Sequence, residues 1–181
     1  MELPKLKLWT PRIAKAKALD SIPKTLDGIA DRKMTDKKHY FAYGSNMNPE
    51  RLRKRIGYLP PSRKALLQEY ALLFNKNSYK NPTEGFANIV QQPNSQVEGI
   101  LYEVTDKDIA KLDQFEGVPT HYNHQPIKVE CEGKITNALT YIAATIKEGL
   151  KPSPDYLNHL LAGKAHLSEA YYQQLANTTC L

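Results

Sequence analysis

The sequence predicts an α+β fold in which a largely antiparallel, strongly twisted sheet closes toward a barrel and helices flank it. Three observations carry this. Segments 65–75, 86–91, 97–104, 122–131 and 137–144 are strand-like in composition and length. Turn chemistry at Asn81-Pro82, Pro93-Asn94 and Glu132-Gly133 leaves most neighbouring strands too little chain for a parallel crossover. Helical patterns with cap residues interrupt and close this set of strands, and there is no internal repeat.

Residues 1–38 read as a basic N-terminal extension, partly ordered, ahead of a domain over 39–181. Pro4, Pro11 and Pro23 break up the extension, and Trp9, Ile13 and Leu19 are the apolar residues able to dock on the domain. The domain opens on a short apolar strand that runs into Tyr43-Gly44-Ser45-Asn46-Met47. A helix follows, with Asn48 as N-cap, Pro49 at its first position and Glu50 in its first turn. Gly44 lets the chain fold tightly, so several N–H groups can converge next to the helix N-terminus and hold a carboxylate or oxyanion. An ordinary strand-to-helix turn would look the same. The loop has neither the GxGxxG nor the GxxxxGK phosphate pattern, and Ser45 is not in a GxSxG elbow, so it reads as a hydrogen-bond donor.

Leu52 and Ile56 form the apolar face of that helix, with Arg51, Arg53, Lys54 and Arg55 assigned to the solvated side. Further helices are expected at about 106–116, from Ser153 (N-cap) and Pro154 to near Gly163, and at about 168–176.

Bulk properties exclude several classes. At 181 residues with 41% hydrophobic content, the chain fits one domain with a sizeable core. No apolar run reaches the roughly 20 residues that span a bilayer, so no membrane partner is expected. No apolar stretch of the secretory-signal kind opens the chain, which makes the cytoplasm the default location. The net charge of +6 sits unevenly: residues 1–38 hold ten Lys/Arg against five Asp/Glu, and the rest hold fifteen against fourteen. A nearly neutral domain argues against a nucleic-acid partner. Cys131 and Cys180 read as free thiols. His121 and His124, three positions apart on a strand of alternating faces, point to opposite sides and are poorly placed for one metal, and no metal or cofactor is expected.

One acid stands out. In the helix capped by Thr105, with Asp108 three residues on, Ile109 and Leu112 define the inward stripe. Glu116 lies on that same stripe, at i+7 and i+4. It also sits in the last turn, where the macrodipole disfavours negative charge by roughly 0.3–1 kcal/mol, before the Gly117 stop. Both surroundings favour its neutral form, which suits a general base that later acts as an acid. A side chain that swings to water or pairs with a lysine is the alternative from helix position alone.

Four motifs in order, Phe41-Ala42-Tyr43-Gly44-Ser45-Asn46, Leu112-Asp113-Gln114-Phe115-Glu116-Gly117-Val118, Thr140-Tyr141-Ile142 and Pro152-Ser153-Pro154-Asp155-Tyr156, resemble the gamma-glutamylcyclotransferase family across roughly residues 39–175. The resemblance implies a compact domain with a β-barrel core flanked by helices and a cavity at the barrel mouth. It implies that Tyr43, Gly44, Ser45 and Asn46 form the substrate-binding loop and that Glu116 is the catalytic acid/base. Tyr141 would orient the substrate, and Tyr156 would lie on the lid side. Residues 1–38 have no counterpart in the family core. The general branch matches better than the glutathione-specific one.

The chemistry this implies suits the residues. The α-amine of a gamma-glutamyl compound attacks its own side-chain amide, giving 5-oxoproline and a free amine. No protein nucleophile is needed, and a well-held intramolecular geometry can recover ~7–11 kcal/mol of barrier. One carboxylate can take the ammonium proton and return it to the leaving nitrogen, while loop N–H groups stabilise the oxyanion. A non-catalytic module that binds such a ligand is the alternative. The leaving group stays open between an amino acid, a lysine ε-amine, another amine or a carrier-linked amine. The loop 76–85 and the helix after Pro154 would decide it, with Tyr79 and Tyr156 lining that side. Oligomeric state is not legible.

Overall fold

The computed structural model describes residues 37–181. The extension, and with it the docking expected of Trp9, Ile13 and Leu19, lies outside the described residues. Five strands, β1 (Lys38–Ala42), β2 (Ser62–Asn77), β3 (Gly85–Val104), β4 (Tyr122–Cys131) and β5 (Lys134–Ala143), close a barrel in the order β1-β3-β2-β4-β5. All pairings are antiparallel except β1 with β5, which meet in parallel at Tyr40 and Leu139. That sparse seam is reinforced by side chains: Thr140 Oγ1 donates to the Phe41 carbonyl at 2.8 Å, and Tyr43 Oη donates to the Tyr141 carbonyl at 2.5 Å.

Two strands expected from the sequence, 86–91 and 97–104, are one. Pro93-Asn94 makes a bulge rather than a turn. The β2–β3 register jumps from Gln68↔Gln96 to Tyr70↔Gln91, with Glu69 and Asn94 at φ 63° and 59°. Pro93 has no N–H to give the ladder, and the Asn94 N–H is taken by Glu69 Oε2 at 3.2 Å, so the strand bends and continues. Glu132-Gly133 does turn the chain, joining β4 to β5 with both residues at positive φ.

The helices are α1 (Pro49–Ile56), α2 (Asp106–Glu116), α3 (Pro154–Leu161) and α4 (Glu169–Ala176). Each starts where its cap lies: Asn48 accepts from Glu50 and Arg51 N–H, Thr105 and Asp108 make a full capping box, and Ser153 and Ser168 each accept from the third residue beyond. The core is continuous through the barrel. Phe41, Leu67, Ile89, Val97, Leu101 and Val129 fill it, and Leu52, Ile56 and Leu112 seal it under α1 and α2.

Glu98, on β3, fixes the last helix. Its carboxylate accepts from Ser168 N–H at 2.7 Å and Ser168 Oγ at 2.6 Å, with Lys64 Nζ at 3.1 Å.

Candidate active site

The chain leaving β1 makes a short 3₁₀ turn, Ser45–Met47, before α1. Met47 N–H returns to the Gly44 carbonyl at 2.9 Å, and among the described residues the N–H groups of Ser45 and Asn46 have no protein acceptor. Gly44 is at φ −115°, so positive-φ freedom is not its reason. Space is: a Cβ there would stand 3.2 Å from Ala87 Cβ and 3.4 Å from Tyr156 Oη.

Beside this turn is Glu116, at the end of α2, with a side chain 14% exposed. Arg55 Nη1 donates to its Oε1 at 2.5 Å, and Asn46 Nδ2 donates to the same oxygen at 3.0 Å. Asn46 also joins the others, donating to Tyr40 Oη at 2.8 Å and accepting from Arg55 at 2.8 Å through Oδ1. Both contacts fall on Oε1; Oε2 has no hydrogen-bond partner among the described residues. α2 is held at other points too, against α1 by Lys111 Nζ on the Ile56 carbonyl at 2.6 Å and against the chain just after α1 by Tyr58 Oη on Asp108 at 2.7 Å. The acid therefore does face inward, but it pairs with an arginine rather than a lysine.

The carboxylate borders a cavity of about 450 Å³ at the barrel mouth. Tyr43, Gly44, Ser45, Asn46, Tyr141 and Tyr156 all line it with Glu116. Their roles differ. The hydroxyls of Tyr43 and Tyr141 are committed, the first to the Tyr141 carbonyl and the second to Asp113 Oδ1 at 2.7 Å. These tyrosines offer the cavity ring surface. Tyr156 Oη accepts from Ala87 N–H at 3.0 Å, and its own proton has no protein acceptor among the described residues. Burial above all pushes the phenols of Tyr40, Tyr43, Tyr141 and Tyr156 well above the ordinary tyrosine value, so each remains a neutral hydroxyl.

The basic run of α1 is not the uniform solvated face expected. Arg53 and Lys54 are exposed, whereas Arg51 and Arg55 turn into the cavity. Spacing i, i+4 puts those two on one edge of the buried Leu52–Ile56 stripe, a signal present in the sequence. Arg51 Nε is buried without a partner among the described residues, and its Nη1 lies 3.3 Å from His159 Nε2. Burial, then Arg51 and Arg55, lower the His159 pKa and keep it neutral.

Lys76, by sequence only the first residue of the specificity loop 76–85, also lines the cavity. Two β2 residues, Phe74 and Asn75, oppose the single Ala87 between the pairs Leu73↔Asn88 and Lys76↔Phe86, a bulge that re-aims the strand at the mouth. Lys76 is 3% exposed, and its Nζ lies 4.7, 5.7 and 5.9 Å from the ring centres of Tyr79, Phe86 and Tyr122. Tyr79 also lies against His121, with ring centres 4.6 Å apart. His124 instead leaves for Asp113, at 2.6 Å. Among the described residues no group of three or more His, Cys, Asp or Glu converges as a metal site, and Cys131 and Cys180 are free. No helix there is long and apolar enough to cross a membrane.

Residues 40–158 match the family model "Gamma-glutamyl cyclotransferase, AIG2-like". The chain is 33% identical to the gamma-glutamylcyclotransferase of Mus musculus over 143 residues, covering 75% of this chain and 76% of that protein. To the Homo sapiens protein of the same name it is 33% identical over 129 residues, 68% of each. Among solved structures, one titled "Gamma-glutamyl cyclotransferase" superposes with a TM-score of 0.74 at 27% identity, covering 81% of this chain and 90% of that one.

Proposed function

The chain belongs to the gamma-glutamyl cyclotransferase, AIG2-like family of enzymes, and from that premise we propose that it converts a gamma-glutamyl compound into 5-oxoproline and a free amine, with Glu116 as the acid/base. The observation that carries this is the free Oε2 of Glu116. Oε1 is occupied by Arg55 and Asn46, so the carboxylate is held in one orientation, and its other oxygen has no partner among the described residues in a side chain that lines the cavity.

The N–H groups of Ser45 and Asn46, which lack protein acceptors, hold substrate oxygens. The Tyr156 hydroxyl, with an uncommitted proton beside Gly44, adds a donor. The rings of Tyr43 and Tyr141 wall the folded gamma-glutamyl chain and keep its amine near the amide carbon. Oε2 removes a proton from the α-ammonium. The freed nitrogen lone pair attacks the γ-carbonyl carbon, and the oxyanion rests on the donors. The proton then passes from Oε2 to the departing nitrogen as the original amide C–N bond breaks; the ring nitrogen gives its remaining extra proton to the freed carboxylate, which hands it to the amine, so a neutral lactam and an ammonium leave.

The experiment is 5-oxoproline release from a panel of gamma-glutamyl dipeptides and amines, with wild type beside Glu116→Gln. Release by wild type and loss in the variant supports the reading. A folded wild type that binds members of the panel and releases nothing replaces it with a binding role.

A further inference from the structure

Resting on that reading, we propose that Lys76 determines the leaving group: it receives a carboxylate carried by the departing amine, so gamma-glutamyl amino acids are favoured over gamma-glutamyl amines that lack an acid group. A buried ammonium is costly unless something answers its charge. Three aromatic faces and one carbonyl, that of Asn77 at 2.7 Å, are what Lys76 has; no carboxylate is in ion-pair reach among the described residues. An ammonium carries three N–H donors, so two remain. The rings that cage it line the cavity, which puts Nζ at the cavity wall.

Position assigns this cation to the leaving side. Glu116 is bonded by Asn46 and Arg55, whereas Lys76 is ringed by Tyr79, Phe86 and Tyr122; the two share one cavity, and Lys76 feels the Glu116 charge from beyond ion-pair distance. Charge agrees. Arg51, Arg55, Lys76 and Lys80 line the cavity against the single carboxylate of Glu116, which Arg55 already answers. A gamma-glutamyl amino acid brings two carboxylates, one at each end. With the glutamyl end folded at the loop, the second meets Lys76.

The test compares gamma-glutamyl-L-alanine with gamma-glutamylethylamine, which differ by that carboxyl group, in wild type, Lys76→Met and Lys76→Arg. Wild type should prefer the acid in kcat/KM by at least ~10-fold, the worth of one charge-assisted hydrogen bond. Lys76→Met should bring the ratio toward one through KM for the acid, and Lys76→Arg should restore part of it. The wild-type ratio needs no variant to fold. Equal kcat/KM for the two compounds in wild type, or an undiminished preference in a folded Lys76→Met, overturns the assignment while leaving the reaction standing. No 5-oxoproline from either compound overturns the reaction and the assignment together.

Discussion

Arg55 on α1 and Glu116 on α2, 61 residues apart, meet with Nη1 2.5 Å from Oε1, and Asn46 bonds to both. The pair is only 10% and 14% exposed, so it fixes the acid and leaves two buried charges dependent on each other. This sets how the two residues respond to substitution.

Glu116→Gln keeps an oxygen for Arg55 and Asn46 and removes the proton acceptor. The expected result is a fall in kcat of ~10²–10⁴ with little change in Tm. Glu116→Ala should also destabilise, by up to about 3–5 kcal/mol, because the Arg55 guanidinium stays buried without its partner. Near-wild-type turnover by Glu116→Gln would remove this carboxylate from the mechanism.

Arg55 acts through Glu116 rather than on substrate. Arg55→Met should lower kcat by about 10²-fold through misplacement of the acid, with a much smaller change in KM. Arg55→Lys should recover part of the loss. A pure KM effect in steady-state kinetics would instead make Arg55 a substrate ligand.

At Gly44 the constraint is room. Alanine needs its neighbours to give by a few tenths of an ångström, whereas valine adds methyl groups beside Ala87 and Tyr156. Gly44→Ala should therefore raise KM modestly, and Gly44→Val by at least ~10-fold, the equivalent of about 1.4 kcal/mol. Equal kinetics for both variants would mean that this edge of the cavity does not touch substrate.

Glu98 gives a pH-dependent stability. Burial alone would raise its pKa, but the Ser168 hydroxyl and N–H, with Lys64, outweigh it and hold the carboxyl below its ordinary 4.5. A folded-state value below the unfolded one contributes stability above the unfolded value and loses it as pH falls through the folded one. Below about pH 4.5 wild type should lose this contribution. Glu98→Gln should be less stable by about 1–3 kcal/mol at neutral pH and converge on wild type in acid. Chemical denaturation at several pH values reads this directly, and a constant gap between the proteins would contradict it.

Local physics made much of this chain legible. Asn48, Thr105, Ser153 and Ser168 each cap the helix they begin in the sequence, because a cap bond closes within three residues. Glu116 was visible for the same reason: its conflict with the Ile109–Leu112 stripe lies within two turns of one helix. Pro93-Asn94 misled, since a proline and a residue at positive φ serve a bulge as well as a turn. The choice lay with Glu69 across the ladder.

By itself, then, the sequence determined the α+β class, the helix starts, the loop after β1 and the inward acid, all of them short-range consequences of caps, periodicity and turn chemistry. Only the tertiary structure decided which cation answers Glu116 and where Lys76 points. Arg55 looked solvated because its partners, Asn46 and Glu116, arrive from other elements. Lys76 looked like loop because a bulge and three rings from separate parts of the chain make its surroundings. Contacts between distant segments exist only once the barrel closes, and no local pattern encodes them.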